Sequence, residues 1–162
     1  MTTNSRLAAS CAVGAFAAAA AQKADASLPL PKFVEGRLLY DEGKYEEALA
    51  AFQAADATLK GRTLQLAELQ FYLGDTLARL DRYSEAEKRF RQELVVFPQN
   101  IRTYASLAML YRASNRDRAA EQAVAELMRV APTPEGYALA ARLWTIFGDR
   151  QRAAAIRSDA RQ

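Results

Sequence analysis

The pattern of apolar and polar positions along this chain is helical. β-Branched residues are sparse and show no two-residue alternation, the pattern that would predict half-buried strands. Alanine, leucine, arginine and glutamate, all good helix formers, are frequent between short turn-like stretches. We therefore predict an all-α fold. The predicted helices cover residues 31–42, 45–59, 64–79, 84–97, 101–113, 117–130, 134–147 and 150–161.

A repeat of 34 residues underlies this helical pattern. Pro98 and Pro132 are 34 residues apart, and so are Leu73 and Leu107. Two longer series keep the same interval: Asp81, Asn115 and Asp149, and Ala86, Ala120 and Ala154. The run 45–48 corresponds to the run 83–86 at an interval of 38, which indicates an insertion of four residues near 61–64. Internal repeats of this length are typical of solenoid proteins.

The repeated positions have the side-chain sizes that stacked helix pairs require. Small residues let the two helices of a pair approach closely: Gly36, Gly74 and Ala108 in first helices, and Ala48, Ala86 and Ala120 in second helices. Larger residues fill the space between neighbouring pairs: Phe52, Phe90 and Val124. Proline lacks a backbone N–H, so Pro98 and Pro132 would end second helices. One pair cannot bury its apolar face alone, so several pairs must stack.

These positions resemble the pattern of the tetratricopeptide-repeat (TPR) family. Three copies carry the resemblance: Gly36, Tyr45, Ala48, Phe52 and Ala55; Leu73, Gly74, Tyr83, Ala86, Phe90 and Pro98; and Tyr104, Leu107, Ala108, Tyr111, Ala120 and Pro132. A fourth, degenerate copy contains Asp149 and Ala154, with Arg142 where glycine or alanine is expected. The resemblance implies a right-handed solenoid of about four antiparallel helix pairs, with repeats at about 29–62, 67–100 and 101–134 and a partial repeat at 135–162. A looser resemblance, over about residues 60–160, is to TPR tails of some bacterial sulfatases.

The first 26 residues have the layout of a secretory signal peptide. Residues 1–6 are polar with one positive charge, and residues 7–21 are apolar and uncharged. Small-residue cleavage sites follow at 19–21 and 24–26. We predict cleavage after Ala26, which would leave residues 27–162 as the TPR domain. The apolar run is shorter than the roughly 20 residues that span a bilayer. The rest of the sequence has no long apolar run, so we expect no stable membrane insertion once the leader is removed.

Export places the processed chain most simply in a bacterial periplasm or outside the cell. Other interpretations of the leader remain open. Residues 7–11 faintly resemble a bacterial lipoprotein box before Cys11, and an alanine-rich thylakoid-lumen signal is also compatible with the sequence. A mitochondrial presequence would carry more arginine. The last alternative is that this segment is an alanine-rich tail with no targeting role.

The composition excludes most catalytic chemistry. The chain has no histidine, and its one cysteine, Cys11, lies in the leader, so the usual general base, transition-metal ligands and disulfides are absent from residues 27–162. Acidic residues fall at predicted turns and helix starts, and Glu85–Arg89 and Glu87–Arg91 are spaced as ion pairs on a solvated face. We predict no enzyme, cofactor or metal site. The net charge is only +3, and the sequence lacks the basic stripe with stacking aromatics that would indicate nucleic-acid binding.

The resemblance implies a binding site in the concave groove of the solenoid, formed by the inner faces of the first helices. The candidate groove residues are Phe33, Arg37, Tyr40, Asp41, Phe71, Asp75, Arg79, Met109 and Arg112, with Ala78, Ala105 and Ala113 on the floor. The implied function is non-catalytic binding of a partner protein's peptide or helix. The alternative is a structural subunit, or a detached C-terminal module, of a larger cell-envelope enzyme or complex. The partner and the oligomeric state are left open.

A second candidate surface lies in the last predicted helix pair. Helix 134–147 is apolar almost all round, and the helix after it is short and rich in arginine. We predict that the shorter helix leaves an exposed docking patch drawn from Leu139, Leu143, Trp144, Ile146 and Phe147. The alternative is that these residues pack on helix 117–130.

Overall fold

The computed structural model describes residues 29–63 and 65–159, and this part of the chain contains eight α-helices and no strand. In chain order they are α1 (Pro29–Asp41), α2 (Tyr45–Leu59), α3 (Leu69–Arg79), α4 (Tyr83–Val96), α5 (Ile101–Ala113), α6 (Asp117–Val130), α7 (Pro134–Ile146) and α8 (Arg150–Asp159). Consecutive helices form antiparallel pairs, and each pair stacks on the next. The predicted all-α helical solenoid is confirmed. The predicted leader, with its cleavage site after Ala26, lies outside the described residues.

One predicted helix begins in the wrong place. The helix predicted at 64–79 begins at Leu69, whereas the other helix ends that the structure describes lie within two residues of their predicted positions. Glu68 has a φ of +65°, a left-handed conformation through which a right-handed helix cannot run. The inserted residues therefore form a loop before α3 and do not lengthen it.

The four turns within helix pairs share one geometry. A residue with positive φ follows the first helix of each pair: Gly43, Asp81, Asn115 and Gly148. The next residue donates its backbone N–H to a carbonyl five positions earlier, as Arg82 does to Leu77 at 2.9 Å and Arg116 to Tyr111 at 2.8 Å. This is the Schellman arrangement, in which glycine, asparagine or aspartate supplies the left-handed residue. The recurring turn makes the second helix of each pair run back along the first.

The turns also show that the fourth copy is one residue shorter than predicted. Gly148 follows Asn115 by 33 residues, whereas Asn115 follows Asp81 by 34. The predicted equivalence of Asp149 with Asn115 is therefore wrong by one position. The missing residue lies in the loop before α7, where the N-cap Thr133 directly follows a proline; the N-cap of α5, Asn100, comes two residues after its proline.

The same shift corrects the two other positions assigned to the fourth copy. Ala153, and not Ala154, is fully buried at the position equivalent to Ala120, and Ala154 is exposed. Ala141 is fully buried at the position where Arg142 was expected to break the pattern, and Arg142 is exposed. The fourth pair thus has small residues at both required positions, which lie one residue earlier than predicted.

Close packing of glycine against phenylalanine fixes the spacing within the first two pairs. A Cβ atom added to Gly36 would lie 2.6 Å from the ring of Phe52, and one added to Gly74 would lie 2.7 Å from the ring of Phe90. Both rings are fully buried. Because real Cβ atoms do not approach carbon this closely, the two helices meet at a distance that only glycine permits.

A buried carboxyl group joins the second and third repeats. Glu93 on α4 accepts hydrogen bonds from the backbone N–H of Phe71 at 3.3 Å and from the side-chain amide of Asn100 at 3.1 Å. Its side chain therefore supplies a partner to the amino-terminal end of α3, whose own N-cap residue makes no side-chain cap bond. Burial raises the pKa of the Glu93 carboxyl, although these two hydrogen bonds oppose the rise.

Replacing Glu93 with glutamine should therefore change how stability depends on pH. A raised pKa in the folded state means that the native protein binds the proton more tightly than the unfolded chain does. The contribution of Glu93 to the unfolding free energy therefore falls as pH rises through the folded-state pKa. We compare the unfolding free energy of Glu93→Gln with that of the unmodified protein at two pH values. The difference should favour the variant more at about pH 7 than at about pH 4. Denaturant titrations at both pH values measure this difference. Glu46→Gln, which alters an exposed carboxyl on α2, is the control and should show no such trend; an equal difference at both pH values would contradict the prediction.

The last helix pair buries two of the five residues of the predicted docking patch. Leu143 and Trp144 are buried, and the guanidinium of Arg152 on α8 lies 4.4 Å from the centroid of the Trp144 ring. These two residues are therefore not part of an exposed patch, because this arginine lies over the indole and widens the cover that the short helix provides. Leu139 and Phe147 are half-buried, and Ile146 is 56% exposed. A docking role for the remaining surface stays a prediction.

No helix within the described ranges is both long enough and apolar enough to cross a membrane.

Candidate partner-binding groove

An apolar recess lies between α3 and α5. Its volume is about 400 Å³. The floor consists mainly of small or unbranched side chains, and Met109, at 41% exposure, is the largest exposed apolar residue there. The lining residues are Asp75, Ala78, Arg79, Tyr83, Phe90, Ala105, Ser106, Met109, Leu110 and Ala113. The structure thus brings together the groove residues predicted in the second and third copies, apart from Phe71 and Arg112.

The aromatic residues predicted for the groove belong to the core. Phe33 and Phe71 are buried, and their rings pack against Tyr72 at centroid distances of 5.9 Å and 5.4 Å. The half-buried Tyr40 packs on the same ring at 5.5 Å, and Phe52 stacks on it at 5.7 Å. Tyr72, which was not among the predicted groove residues, therefore organises an aromatic cluster between the first two repeats. The predicted placement of Phe33 and Phe71 on the groove surface is wrong.

Arg79 is held in a network at one end of the recess. Its Nε donates to the hydroxyl of Tyr40 at 2.7 Å and to Asp75 at 3.0 Å, and its terminal nitrogen donates to Tyr45 at 3.2 Å. The Tyr40 hydroxyl in turn donates to Asp75. Burial and this hydrogen bond to a carboxylate raise the pKa of Tyr40. The network fixes the Asp75–Arg79 ion pair as a preformed polar rim beside the apolar floor.

Arg37 is likewise in contact with its own chain. Its guanidinium lies 4.3 Å from the Tyr72 ring centroid and 3.9 Å from the carboxylate of Glu68, while its buried Nε has no hydrogen-bond partner among the described residues. Glu68 also accepts a hydrogen bond from Arg102 at 2.8 Å. Glu68, in the loop before α3, therefore already pairs with both Arg37 and Arg102.

The third predicted arginine connects the last two repeats. Arg112 on α5 donates to Asp117 at 2.5 Å and to the backbone carbonyl of Phe147 at 3.4 Å, and its guanidinium lies 5.6 Å from the Phe147 ring centroid. Asp41, by contrast, is simply exposed at the end of α1. The predicted row of arginines is thus engaged by intramolecular contacts, whereas the recess beside the Asp75–Arg79 pair is open.

Two tyrosines at the starts of second helices contribute to the site in a way that the sequence patterns did not predict. Tyr45 and Tyr83 recur at one position of the repeat, which in the sequence is typical of core residues. Both are half-buried: the hydroxyl of Tyr45 accepts a hydrogen bond from Arg79, and Tyr83 lines the recess. Their recurrence at the same turn of successive repeats is the sequence feature that could have indicated their place beside the recess.

The described residues contain no group of three or more cysteine, aspartate or glutamate side chains placed to hold a metal ion. The recess is an apolar depression with one polar edge.

Comparisons with known proteins identify the fold. No protein-family model matches the chain, and no curated protein matches it in sequence. Its structure, however, superimposes on solved TPR proteins. A protein of Thermus thermophilus described as a thermophilic TPR protein, TTC0263, matches with a TM-score of 0.62 and 24% identity over 82% of this chain and 72% of that one. This is the TPR fold.

Two further structures of the same TPR architecture cover similar lengths. MamA matches with a TM-score of 0.67 and 17% identity over 85% of this chain and 79% of that one. YrrB, described as a TPR protein with an unusual peptide-binding site, matches with a TM-score of 0.60 and 16% identity over 84% of this chain and 69% of that one. At these identities the likeness concerns the TPR fold itself. The looser resemblance to sulfatase tails gains no support from these comparisons.

Proposed function

We propose that this TPR protein is a non-catalytic interaction module that binds a peptide segment of a partner protein in the recess between α3 and α5. One observation carries the proposal: a half-exposed methionine, Met109, stands on a floor of alanines beside the fixed Asp75–Arg79 pair. The TPR fold and the peptide-binding site named for YrrB support the same class of function.

The shape and chemistry of the recess specify the ligand. Ala78, Ala105 and Ala113 leave a depression that an apolar side chain of a peptide would fill, and the flexible methionine can adapt to its outline. The rim offers one carboxylate and one guanidinium, which suit the backbone or a polar side chain of the same peptide. Because Arg37 and Arg112 are engaged elsewhere, we expect an apolar anchor to determine binding more than a row of acidic residues does.

Substitution of the exposed methionine tests the proposed site. Peptides selected from a random display library against the unmodified protein should bind Met109→Glu at least about tenfold more weakly, because a carboxylate cannot be buried against an apolar anchor without losing its hydration. Isothermal titration with one selected peptide measures the affinities.

A matched variant separates a site effect from a general one. Val95 on α4 is 83% exposed and lies outside the recess, so Val95→Glu should leave the affinity unchanged. Failure to select any peptide, or selected peptides that bind Met109→Glu as tightly as the unmodified protein, would contradict binding in this recess.

A further inference from the structure

An apolar groove of about 460 Å³ lies between α4 and α6 and has α5 as its floor. Tyr104, Leu107 and Tyr111 of α5 line it, and we call it the outer groove. The recess of the proposed function is lined by other residues of the same helix, among them Ala105 and Met109. The two surfaces therefore lie on different faces of α5 and are separate candidate sites.

The gap between α2 and α4 is the equivalent of the outer groove one repeat earlier, and polar side chains bridge it. Gln70 donates a hydrogen bond to Asp56 at 2.7 Å, and Arg89 donates to both of these residues at 2.9 Å. The depression around this bridge is lined mainly by charged and amide side chains. The first gap therefore offers an apolar ligand little to contact.

The outer groove has lost this polar bridge. The residues at the three equivalent positions, 34 or 38 places later in the chain, are Leu94, Tyr104 and Ala123. Ala123 is too short to reach across the gap as Arg89 does. In the following gap, between α6 and α8, Ile156 stands at the same position and packs against the core. The open apolar space thus results from an alanine where the neighbouring repeats have a long or branched side chain.

Positive charge lies at one end of the outer groove. Arg91 and Arg116 share the carboxylate of Glu87 at 2.9 Å and 2.6 Å, and Arg91 also donates to the hydroxyl of Tyr111 at 3.1 Å. The side chains of the two arginines are 64% and 49% exposed, whereas that of Glu87 is 17% exposed. The cluster therefore presents guanidinium groups to solvent, and one carboxylate does not balance two of them.

The charges at the other end of the groove cancel. Further along α6, Glu126 pairs with Arg129 at 2.7 Å. The charge of the outer groove is therefore one-sided and complements an acidic group placed near Arg91 and Arg116. A guanidinium has more N–H donors than the bonds of this cluster use, so both arginines can also bind a carboxylate of a ligand.

We propose that the outer groove is a second protein-binding site, which takes a peptide segment carrying an apolar side chain with a carboxylate close to it. The apolar side chain fills the space beside Ala123 over the floor of α5, and the carboxylate pairs with Arg91 and Arg116. Since the recess lies on another face of α5, the two sites can hold segments of two different partners at once. The protein then acts as an adaptor that joins them.

Selection on a full-length protein that carries Met109→Glu in the recess isolates ligands of the outer groove. Peptides selected on this protein from a random display library should contain an apolar residue with aspartate or glutamate close to it in sequence. Fluorescence anisotropy with one such peptide measures its affinity. In the same background, Ala123→Ile, which copies Ile156 of the next gap, should weaken binding about tenfold because isoleucine occupies the space of the anchor. Ala125→Ile, at an exposed position of α6, is the matched control and should leave the affinity unchanged.

The charge of the site is tested separately. The selected peptide with its carboxylate replaced by an amide should bind about fivefold more weakly or worse, and Arg91→Gln should remove most of this difference. Val95→Glu should also weaken the acidic peptide about fivefold, because the new carboxylate lies one helical turn from Arg91 and competes for it. Val95 is exposed, so this variant keeps the test decisive even if Ala123→Ile fails to fold.

Three results would overturn the proposal: no peptide is selected, the selected peptides bind Ala123→Ile as tightly as their bait, or loss of the carboxylate has no effect. Sedimentation equilibrium tests the remaining occupant. A dimer of the unmodified protein that Ala123→Ile dissociates would assign the groove to a second copy of the chain and would likewise overturn the proposal. None of these results bears on the recess, whose test depends on Met109 alone.

Discussion

Gly74→Leu should destabilise the protein by about 3 kcal/mol, a large part of the roughly 5–15 kcal/mol that stabilises a typical domain. The first atom of any new side chain would lie 2.7 Å from the Phe90 ring, and that ring is fully buried and has no free space to enter. Leucine adds three more carbon atoms in the same direction. Helices α3 and α4 would have to move apart, and their packing on both neighbouring pairs would be lost. Denaturant unfolding followed by circular dichroism measures the loss.

The matched control is Ala125→Leu, which places the same side chain on an exposed position of α6. It should change the unfolding free energy by no more than about 0.5 kcal/mol. A loss below about 0.5 kcal/mol for Gly74→Leu would mean that α3 and α4 are not held at the distance that the structure shows.

The fold was predictable because the residues that set helix spacing recur in the sequence itself. Gly74 and Phe90 are identified by the repeat alone, and the structure places them in contact. The fourth repeat could not be placed by counting at a fixed interval, since the shortened loop before α7 moves Ala141 and Ala153 by one position without affecting how the helices pack. Loops accept such changes at little cost, whereas helices do not.

The candidate groove was less predictable than the fold, because the charged residues near it find partners one repeat away. Arg102 pairs with Glu68 at a separation of 34 residues, and Arg112 reaches the carbonyl of Phe147 at a separation of 35. Arg89 illustrates the difficulty: its spacing predicts a pair with Glu85 on the same helix, but it binds Asp56 of the previous pair at 2.9 Å. Side chains of neighbouring repeats lie as close as those of neighbouring helical turns. Sequence spacing alone cannot choose between the two partners.

Tyr72 shows the same limit for aromatic residues. The repeat pattern indicates which helix it belongs to, but its equivalents, Val34 and Ser106, share neither its size nor its chemistry. Its ring nevertheless contacts Phe33, Phe52 and Tyr40 of the first pair. A residue that joins two repeats need not recur in every repeat, so periodicity does not reveal it.

Tyr72→Ala should therefore detach the first helix pair from the rest of the solenoid. Truncation of a buried aromatic side chain costs about 3–5 kcal/mol, and here most of the lost contacts cross from α3 to α1 and α2. Since repeats are stabilised chiefly by their nearest neighbours, we expect α1 and α2 to lose hydrogen-exchange protection well before α4 to α8 do. Tyr104→Ala, which alters a half-buried tyrosine on α5, should leave the protection of α1 and α2 relative to the later helices unchanged. If Tyr72→Ala lowers protection equally along the whole chain, the solenoid unfolds as a single cooperative unit and the aromatic cluster is not the specific link between its first two repeats.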